Sequence, residues 1–276
     1  MNRLRQSAQY VALVAAAGLL LAACGGTSNA NQTRTLTELR ESNTLRVANT
    51  QANPPYSFVD GSNELVGYDV DVAKEIAKRI GVDDVKFVVG SFETFIPGLQ
   101  AGKWDAVISG LTITDERATQ VEFSCPYQVN DVSIFVAPGT QGIEQEDDLT
   151  GKKVAVSAGT TQEEQAQQIP GVDVLTYSNS TLALRDVATG RADAYIGSKF
   201  TGAYLAEKND LAVGPTEGYL TRETNGMAFP KGATELRDAV DEALAAMIED
   251  GTLSAISRQW LGGLDMTEDL DQTSAC

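Results

Sequence analysis

The chain has 276 residues, a formal net charge of −17 and no histidine. An acidic chain without a basic run repels phosphate backbones and anionic lipid, which argues against nucleic-acid binding. The lack of histidine removes the commonest general base and the commonest metal ligand, so we expect neither a metal site nor a cofactor.

The first 23 residues have the pattern of a signal peptide. Arg3 and Arg5 provide a positive start, an apolar run follows, and small residues precede Cys24. The sequence Leu-Ala-Ala-Cys-Gly resembles a bacterial lipobox, in which the cysteine carries acyl chains; a plain secretory peptide with an incidental cysteine is the alternative. We therefore expect an extracytoplasmic protein that is anchored to the membrane by lipid on Cys24, with residues 24–35 as lipidated cysteine and flexible tether.

Two further cysteines, Cys125 and Cys276, follow the predicted lipid site. Disulfides persist outside the cytoplasm, so an even pair permits a bridge that ties the C-terminal tail, residues 266–276, to the body. Sequence alone does not show whether the two side chains approach each other, and the bridge stays an open expectation.

Strand and helix patterns alternate along the rest of the chain. The predicted elements, in chain order, are a strand at 45–48, a helix at 68–80, a strand at 85–89, a helix at 92–100, strands at 106–109, 132–137 and 153–156, a helix at 162–168, a strand at 172–177, a helix at 182–189, a strand at 194–197, a helix at 201–208, a strand at 226–229, and helices at 235–249 and 253–261. This order is typical of α/β proteins with largely parallel sheets.

The stretch WDAVISGLTITDER combines features of a ligand site. A buried strand runs into Ser109, Gly110 and Thr112, where hydroxyls and an approachable backbone lie at a strand's carboxyl end. Thr114 is a typical helix N-cap, and a helix N-terminus presents free N–H groups to an anion. Arg117 adds a planar fork for a carboxylate. A strand, a turn and a surface arginine are the alternative interpretation.

An eight-residue pattern that occurs twice helps to decide between a ligand site and a simple strand and turn. GKWDAVIS at residues 102–109 recurs as GRADAYIG at residues 190–197, 88 positions later. Each copy follows an apolar helix, so its glycine is a predicted C-cap, and its aspartate leads into a buried strand. The two copies predict two similar α/β lobes. Clefts between such lobes are where small ligands bind, which favours the ligand-site interpretation.

Ordered motifs along most of the chain carry a family resemblance. They are PPYSF (54–58), LVGYDVDVA (65–73), FIPGLQAGKWDA (95–106), SGLTITDER (109–117), LTGKKV (149–154), SAGTTQE (157–163), DGTL (250–253) and QWLG (259–262). In this order they resemble bacterial extracellular solute-binding proteins of family 3, the polar amino-acid type that serves ABC importers. Each motif is weak alone, whereas the ordered set is specific.

The resemblance implies an α/β, two-lobed periplasmic-binding-protein-like fold of type II. Each lobe would be a mostly parallel sheet flanked by helices, with a two-strand hinge between them. Lobe 1 would comprise residues 36–127 plus 226–265, and lobe 2 residues 131–222. A ligand that contacts both lobes would favour the closed state. The implied partners of this monomer are a small carboxylate-bearing solute, such as an amino acid, and the permease subunits of an ABC importer.

The resemblance also assigns roles to single residues. Arg117 corresponds to the arginine that binds the ligand α-carboxylate, and Thr161 to a second donor to the same group. Ser109, Gly110 and Thr112 match positions that contact ligand through backbone or hydroxyl groups.

Two positions keep a structural alternative beside the ligand role. Phe92 matches an apolar wall against the ligand side chain, and ordinary core packing is the alternative. Thr160 joins Thr161 in a predicted ligand-binding turn, and a helix N-cap is a second role that is compatible with the first.

Three positions depart from the amino-acid binders of this family. Ser198 stands where an aspartate pairs with the ligand ammonium, Asn53 where an aromatic ring stacks on the ligand, and Thr50 at another acid-bearing position. Asn53 and Ser198 stay in the predicted ligand-binding set. Either another acid in the cleft replaces the missing carboxylate, or the ligand lacks a primary ammonium. Lys199 either points inward toward a second ligand anion or lies in solvent.

These features predict the lipid-anchored, substrate-binding component of an ABC importer and not an enzyme. A prephenate- or arogenate-dehydratase-like enzyme on the same fold is the alternative, but that chemistry needs a positioned acid or base in the cleft. A ligand-gated partner of a membrane sensor would share the same sequence features, which do not separate it from transport.

Overall fold

The computed structural model describes residues 33–270 of the chain. The predicted signal peptide, Cys24, most of the predicted tether and the end of the tail with Cys276 lie outside the described residues. Within residues 33–270, no helix has both the length and the apolar character needed to cross a membrane.

Helices and strands alternate along the described part of the chain. The helices are α1 Leu36–Ser42, α2 Tyr68–Arg79, α3 Phe95–Gln100, α4 Asp115–Gln120, α5 Thr161–Gln168, α6 Ser180–Ala188, α7 Lys199–Lys208, α8 Thr234–Glu249, α9 Thr252–Trp260 and α10 Thr267–Leu270. The strands are β1 Thr44–Asn49, β2 Ala52–Asn53, β3 Ser57–Val59, β4 Leu65–Val66, β5 Asp84–Val89, β6 Ala106–Val107, β7 Val121–Val136, β8 Lys153–Ser157, β9 Asp173–Tyr177, β10 Ala194–Ser198, β11 Gly214–Pro215 and β12 Thr221–Pro230.

The main sheet joins two parallel groups of strands through one antiparallel pair. Its order is β5-β1-β6-β12-β7-β10-β8-β9, with β11 also paired to β7. Strand β1 runs parallel to β5 and β6, and β8 runs parallel to β9 and β10. Strands β7 and β12 are antiparallel to each other and lie between these groups. A separate antiparallel sheet contains β2, β3 and β4.

Buried apolar side chains form separate cores for the two strand groups. One set comes from residues 36–129 and 227–270 and includes Phe229. The other comes from residues 132–205 and includes Phe135. We call these sets, with the elements packed on them, lobe 1 and lobe 2. The predicted two-lobed α/β fold is confirmed, whereas the limits assigned to the lobes from sequence stay a prediction.

The repeated sequence pattern has the same structure in both lobes. Gly102 and Gly190 follow their helices with φ angles of 64° and 72°, as the predicted C-cap role requires. Asp105 and Asp193 each accept a hydrogen bond of 2.8 Å from a backbone N–H of the neighbouring parallel strand, β1 in one lobe and β8 in the other. Each aspartate therefore fixes the start of its own strand against the next one.

The two strands that cross between the lobes are longer than the sequence pattern predicts. Strand β7 contains the predicted strand at 132–137 except for its last residue, and begins eleven positions earlier. The first half of β7 contains Pro126 and several polar residues, so its sequence lacks the hydrophobic pattern that predicts a strand. Opposite Pro126, the register of β12 shifts on both sides of Gly226, which accommodates a residue that has no N–H to donate.

Local backbone chemistry accounts for other differences from the predicted elements. The predicted helix at 92–100 divides into a 3-10 turn, Phe92–Thr94, and α3. Pro97 lacks an N–H and is tolerated in the first turn of α3, so the regular helix begins at Phe95. The predicted strand at 106–109 ends at Val107, and Gly110 then turns the chain with a φ of 62°. Helix α1 and the strands β2 to β4 are short, and the sequence pattern does not predict them.

Cys125 forms a disulfide. The other cysteines of the chain are Cys24 and Cys276, and both lie outside the described residues. The pairing of Cys125 with Cys276 therefore stays a prediction.

Candidate functional site

A cavity of about 470 Å³ is lined by residues from both lobes. Several of its wall residues end or directly follow parallel strands, among them Thr50 after β1, Ser157 in β8 and Ser198 in β10. This is the edge of an α/β sheet where ligands bind. The wall contains these residues predicted from sequence: Asn53, Phe92, Ser109, Gly110, Thr112, Thr160, Thr161 and Ser198.

Arg117 lies next to this cavity but is not one of its wall residues. Its side chain is buried, and its Nη1 and Nη2 atoms donate to the carbonyl oxygens of Thr112 at 3.1 Å and Gly159 at 3.0 Å. The guanidinium carbon lies 5.7 Å from the ring centroid of Phe92. Burial lowers the pKa of Arg117. In this structure the arginine fork links the loop after β6 to the turn before α5, and both carbonyls are bound by it.

The loop after β6 brings backbone and hydroxyl groups into the cavity wall. Ser109 is buried, and its Oγ atom accepts a hydrogen bond from Thr50 N–H at 3.3 Å. Gly110 has a left-handed backbone, which a residue with a Cβ adopts only with strain, and its N–H donates to Tyr127 Oη at 3.3 Å. Because Gly110 has no side chain, its backbone stays accessible from the cavity.

Helix N-termini supply the facing wall in lobe 2. Thr160 is the N-cap of α5, where its Oγ1 accepts from Glu163 N–H at 3.2 Å and donates to Ser157 O at 2.7 Å. Asn179 caps α6, and Ser198 caps α7. All three caps lie in the cavity wall, so the positive ends of three helix dipoles meet there. Such a wall favours an anionic ligand group.

The remaining predicted positions divide between ligand-facing and structural contacts. Asn53 lies in the wall, and its Oδ1 accepts from Thr201 Oγ1 at 2.8 Å, which joins the small sheet to α7. Phe92 packs against the core of lobe 1 and also lines the cavity, and its contact with a ligand stays a prediction. Lys199 is absent from the wall, and its Nζ donates to a backbone carbonyl at 2.9 Å.

Residues 45–263 match the model of the bacterial extracellular solute-binding proteins, family 3. The chain belongs to this family.

Curated relatives and solved structures agree with the family assignment. The L-cystine-binding protein TcyJ of Escherichia coli (strain K12) is 35% identical to this solute-binding protein over 235 residues, which cover 84% of this chain and 88% of TcyJ. An ancestral arginine-binding protein solved with arginine is 38% identical, with a TM-score of 0.76 over 80% of this chain and 99% of that one. The ancestral amino acid-binding protein AncCDT-1, a precursor of cyclohexadienyl dehydratase, is also 38% identical, with a TM-score of 0.74 over 82% and 98% of the two chains.

Glu223 on β12 is a wall residue of the solute-binding protein that no motif in the sequence indicates. Its Oε1 accepts from Thr161 Oγ1 at 2.6 Å and from Gln162 Nε2 at 3.0 Å. Its Oε2 accepts from Thr112 Oγ1 at 3.1 Å, from Gln162 Nε2 at 3.0 Å and from Asn130 Nδ2 at 3.4 Å. The two threonine hydroxyls that the resemblance assigns to a ligand are therefore bound by an internal carboxylate in this structure.

Several polar atoms in the wall have no hydrogen-bond partner among residues 33–270. They are buried side-chain oxygens on Thr50, Gln128, Asn130 and Asn225. Buried polar groups are normally paired, so each of these atoms is available to a ligand or to water. The three amide oxygens can only accept, which suits a ligand rich in N–H groups. Within the described range, no cluster of acidic or thiol side chains is arranged to hold a metal ion.

A buried carboxylate lies one side chain behind the wall of the solute-binding protein. Tyr127 Oη accepts from Gly110 N–H and donates to Asp69 Oδ1 at 3.0 Å. Burial raises the pKa of Asp69 to about 7, and the hydrogen bond from Tyr127 opposes this change. Tyr127 therefore connects the backbone N–H of Gly110, in the cavity wall, to the Asp69 carboxyl group, whose pKa is about 7.

Proposed function

We propose that this solute-binding protein captures an amino acid outside the cytoplasm and delivers it to the permease of an ABC importer. The main support is the cavity between the lobes, whose wall contains eight of the nine ligand-binding positions predicted from sequence. The names of the relatives add that cystine, arginine and other amino acids are bound within this family. A lipid on Cys24 would hold the monomer at the membrane, and the polar tether would allow it to reach the permease.

The proposed ligand carboxylate binds where the two lobes come together. Arg117 and the hydroxyl of Thr161 are the donors that the family resemblance assigns to it. On ligand binding the Thr161 hydroxyl, which donates to Glu223 in this structure, would turn to the ligand. The N-terminus of α5 adds favourable charge at the same place. Ser109, Gly110 and Thr160 would contact the polar part of the ligand, and the ring of Phe92 would cover its apolar part.

Ligand binding would close the cleft by contacting both lobes. We propose lobe limits of 36–127 plus 226–265 and 131–222, with β7 and β12 as the hinge. A ligand held by donors on both sides stabilises only the closed arrangement, and the equilibrium shifts accordingly. The permease would then recognise the closed form.

A thermal-shift and calorimetric screen tests this function. The mature protein should be stabilised by at least one proteinogenic amino acid or by L-cystine, with one site per monomer. Arg117→Ala should weaken that binding by about ten- to a hundredfold, since a buried charge-assisted contact contributes about 1.5–3 kcal/mol.

Arg185→Ala, which removes an exposed arginine on α6, is the matched control and should bind as the wild type does. Silence of the wild-type protein toward every amino acid would refute the proposal. Turnover of prephenate or arogenate would support the dehydratase alternative in its place.

A further inference from the structure

Glu223 gives the cavity wall its formal charge. Among the described wall residues, the others are apolar, hydroxyl, amide or glycine, and Arg117 lies outside the wall. The position that holds an aspartate in the amino-acid binders of the family is Ser198 here, which caps α7. The acid in the cavity wall is therefore Glu223, which lies on the crossover strand β12 and not at the start of α7.

The contacts of Glu223 fix its carboxylate without neutralising it. All of its hydrogen-bond donors are neutral hydroxyls or amides, and none of the ion pairs between described residues includes it. Neutral donors orient a carboxylate and leave its charge in place, and the buried Arg117 acts on Glu223 through space without a hydrogen bond to it. A cation that enters the cavity therefore meets a carboxylate that forms no ion pair with another described residue. Because both oxygens are held from several directions, little side-chain freedom is lost when a ligand binds.

The surroundings of Glu223 also favour a donor-rich cation. Asn130 gives its amide N–H to Glu223, which leaves its Oδ1 without a partner. The free oxygens of Gln128 and Asn225 belong to the same paired crossover strands, β7 and β12. Together these groups present one negative charge and three unpaired acceptors on one side of the cavity, a pattern that a protonated amine or guanidinium matches with its several N–H donors.

We propose that Glu223 is the specificity-determining residue that selects ligands by a protonated amine or guanidinium. The inference rests on the proposed function, because it assigns the ligand class of the same cavity. It also assigns a task to the donors Thr112 and Gln162, which position the Glu223 carboxylate for the ligand cation.

Calorimetry with three matched probes tests this assignment. L-arginine carries both cations, L-citrulline lacks the guanidinium charge, and 5-guanidinopentanoate lacks the α-amine. The wild-type protein should bind arginine at least about tenfold more tightly than the analogue that lacks the nitrogen facing Glu223. Which analogue is weakened identifies that nitrogen.

Glu223→Gln should remove this preference, and Glu223→Asp, which keeps the charge, should retain it. Glu164→Gln is the matched control, because Glu164 is an exposed acid on α5 that acts on Arg117 through space and is not a wall residue. It should keep the wild-type ratio of affinities.

Three outcomes would overturn the inference. The first is an unchanged preference in Glu223→Gln, and the second is tighter arginine binding by that variant, which would make Glu223 a competitor of the ligand carboxylate. The third comes from the wild-type protein alone, whatever the folding of the variants: equal affinity for arginine and both analogues. In that case the binding of arginine leaves the proposed function standing, while the assignment of Glu223 fails.

Discussion

Asp69 lies at the start of α2 with its carboxylate fully buried, and its Oδ2 has no hydrogen-bond partner among the described residues. Burial disfavours the charged form, which raises the pKa of this group from 3.8 to about 7. Between about pH 4 and pH 7 the folded chain therefore keeps a proton that the unfolded chain has lost. The free energy of unfolding should fall as the pH rises through this window and level off above it.

Replacing Asp69 by asparagine should remove this contribution to the pH dependence. The amide stays neutral, and its oxygen can still accept from Tyr127. Relative to the wild type, Asp69→Asn should gain stability between pH 4 and pH 8, by an amount on the order of 4 kcal/mol if the whole change is expressed. Urea unfolding at several pH values measures it, and parallel curves for the two proteins would contradict the prediction.

At the residue scale, the sequence predicts groups that belong to motifs. Ser109, Gly110 and Thr112 follow a strand in a recognisable motif, and the structure places all three in the wall. Glu223 escapes prediction because it lies in no motif and its donors come from three separate segments. The register of β12 against β7 places Asn130 opposite Glu223, and the tertiary fold brings Thr112 and Thr161 to it. For Arg117 the reverse holds. Its place in a motif predicts a ligand-binding residue, but no sequence pattern predicts its hydrogen bonds to the carbonyl oxygens of Thr112 and Gly159.

Individual elements begin and end where side-chain chemistry places them. Thr114 caps α4 as predicted, with its Oγ1 accepting from Arg117 N–H at 3.2 Å. Asp105 fixes the start of β6 and accepts hydrogen bonds from Arg34 and Arg46. Although burial alone would raise it, these hydrogen bonds lower the pKa of Asp105. Its stabilising effect is present above its ordinary value of 3.8 and lost as the pH falls through the lower, folded value.

The repeated aspartates allow a matched comparison between the lobes. Asp105→Asn leaves two arginines without their carboxylate and should lower the free energy of unfolding by about 2–4 kcal/mol at pH 7. Asp193→Asn keeps an oxygen that can accept the same backbone N–H and loses only the charge at an exposed position, so it should cost no more than about 1 kcal/mol. Denaturant titration of both variants measures the difference. Equal losses would show that the arginine contacts contribute nothing.

Prediction of the elements works where hydrophobic periodicity is strong. The helices α2 and α8 and the strands β1, β5 and β8 lie within about two residues of their predicted limits. The small sheet of β2, β3 and β4 is not predicted because its strands have two or three residues each, too few for a periodic signal. It is held by tertiary contacts, such as the hydrogen bond between Asn53 and Thr201, that no local pattern reveals.

The two lobes also meet outside the cavity, at an aromatic contact. The ring of Phe58 on β3 lies 5.9 Å from that of Tyr204 on α7 and 6.1 Å from that of Trp260 on α9, measured between centroids. Lys208 Nζ lies 5.5 Å from the centroid of Phe58. Tyr204 packs against the core of lobe 2, so Phe58 connects the lobes in this arrangement.

Phe58→Ala should weaken binding of the cognate amino acid without altering the cavity wall. If the aromatic contact forms only when the lobes are closed, its loss should reduce affinity roughly three- to tenfold, from the 0.5–1.5 kcal/mol of an aromatic pair. Calorimetry measures the affinity, and small-angle scattering should show a more open ligand-free protein. Ile248→Ala, an exposed substitution on α8, is the control. Unchanged affinity in Phe58→Ala would exclude a role for this contact in closure.

At the scale of the whole molecule, the sequence predicts the two-lobed architecture, because an internal repeat and ordered motifs both indicate two lobes. The sequence does not predict the full length of the crossover strands, since the polar first half of β7 lacks the hydrophobic pattern of a strand. They matter most for the position of the site, because they supply Gln128, Asn130, Glu223 and Asn225.

Strands β7 and β12 form a hydrogen-bonded ribbon that enters both lobes. A ribbon of this kind can bend or twist, but its strands cannot slide past each other without losing their ladder. If this ribbon is the hinge, as we propose, its side chains travel least on closure and the rims of the cleft travel furthest. Glu223, which lies on the ribbon, would then meet an arriving solute before the lobes shut.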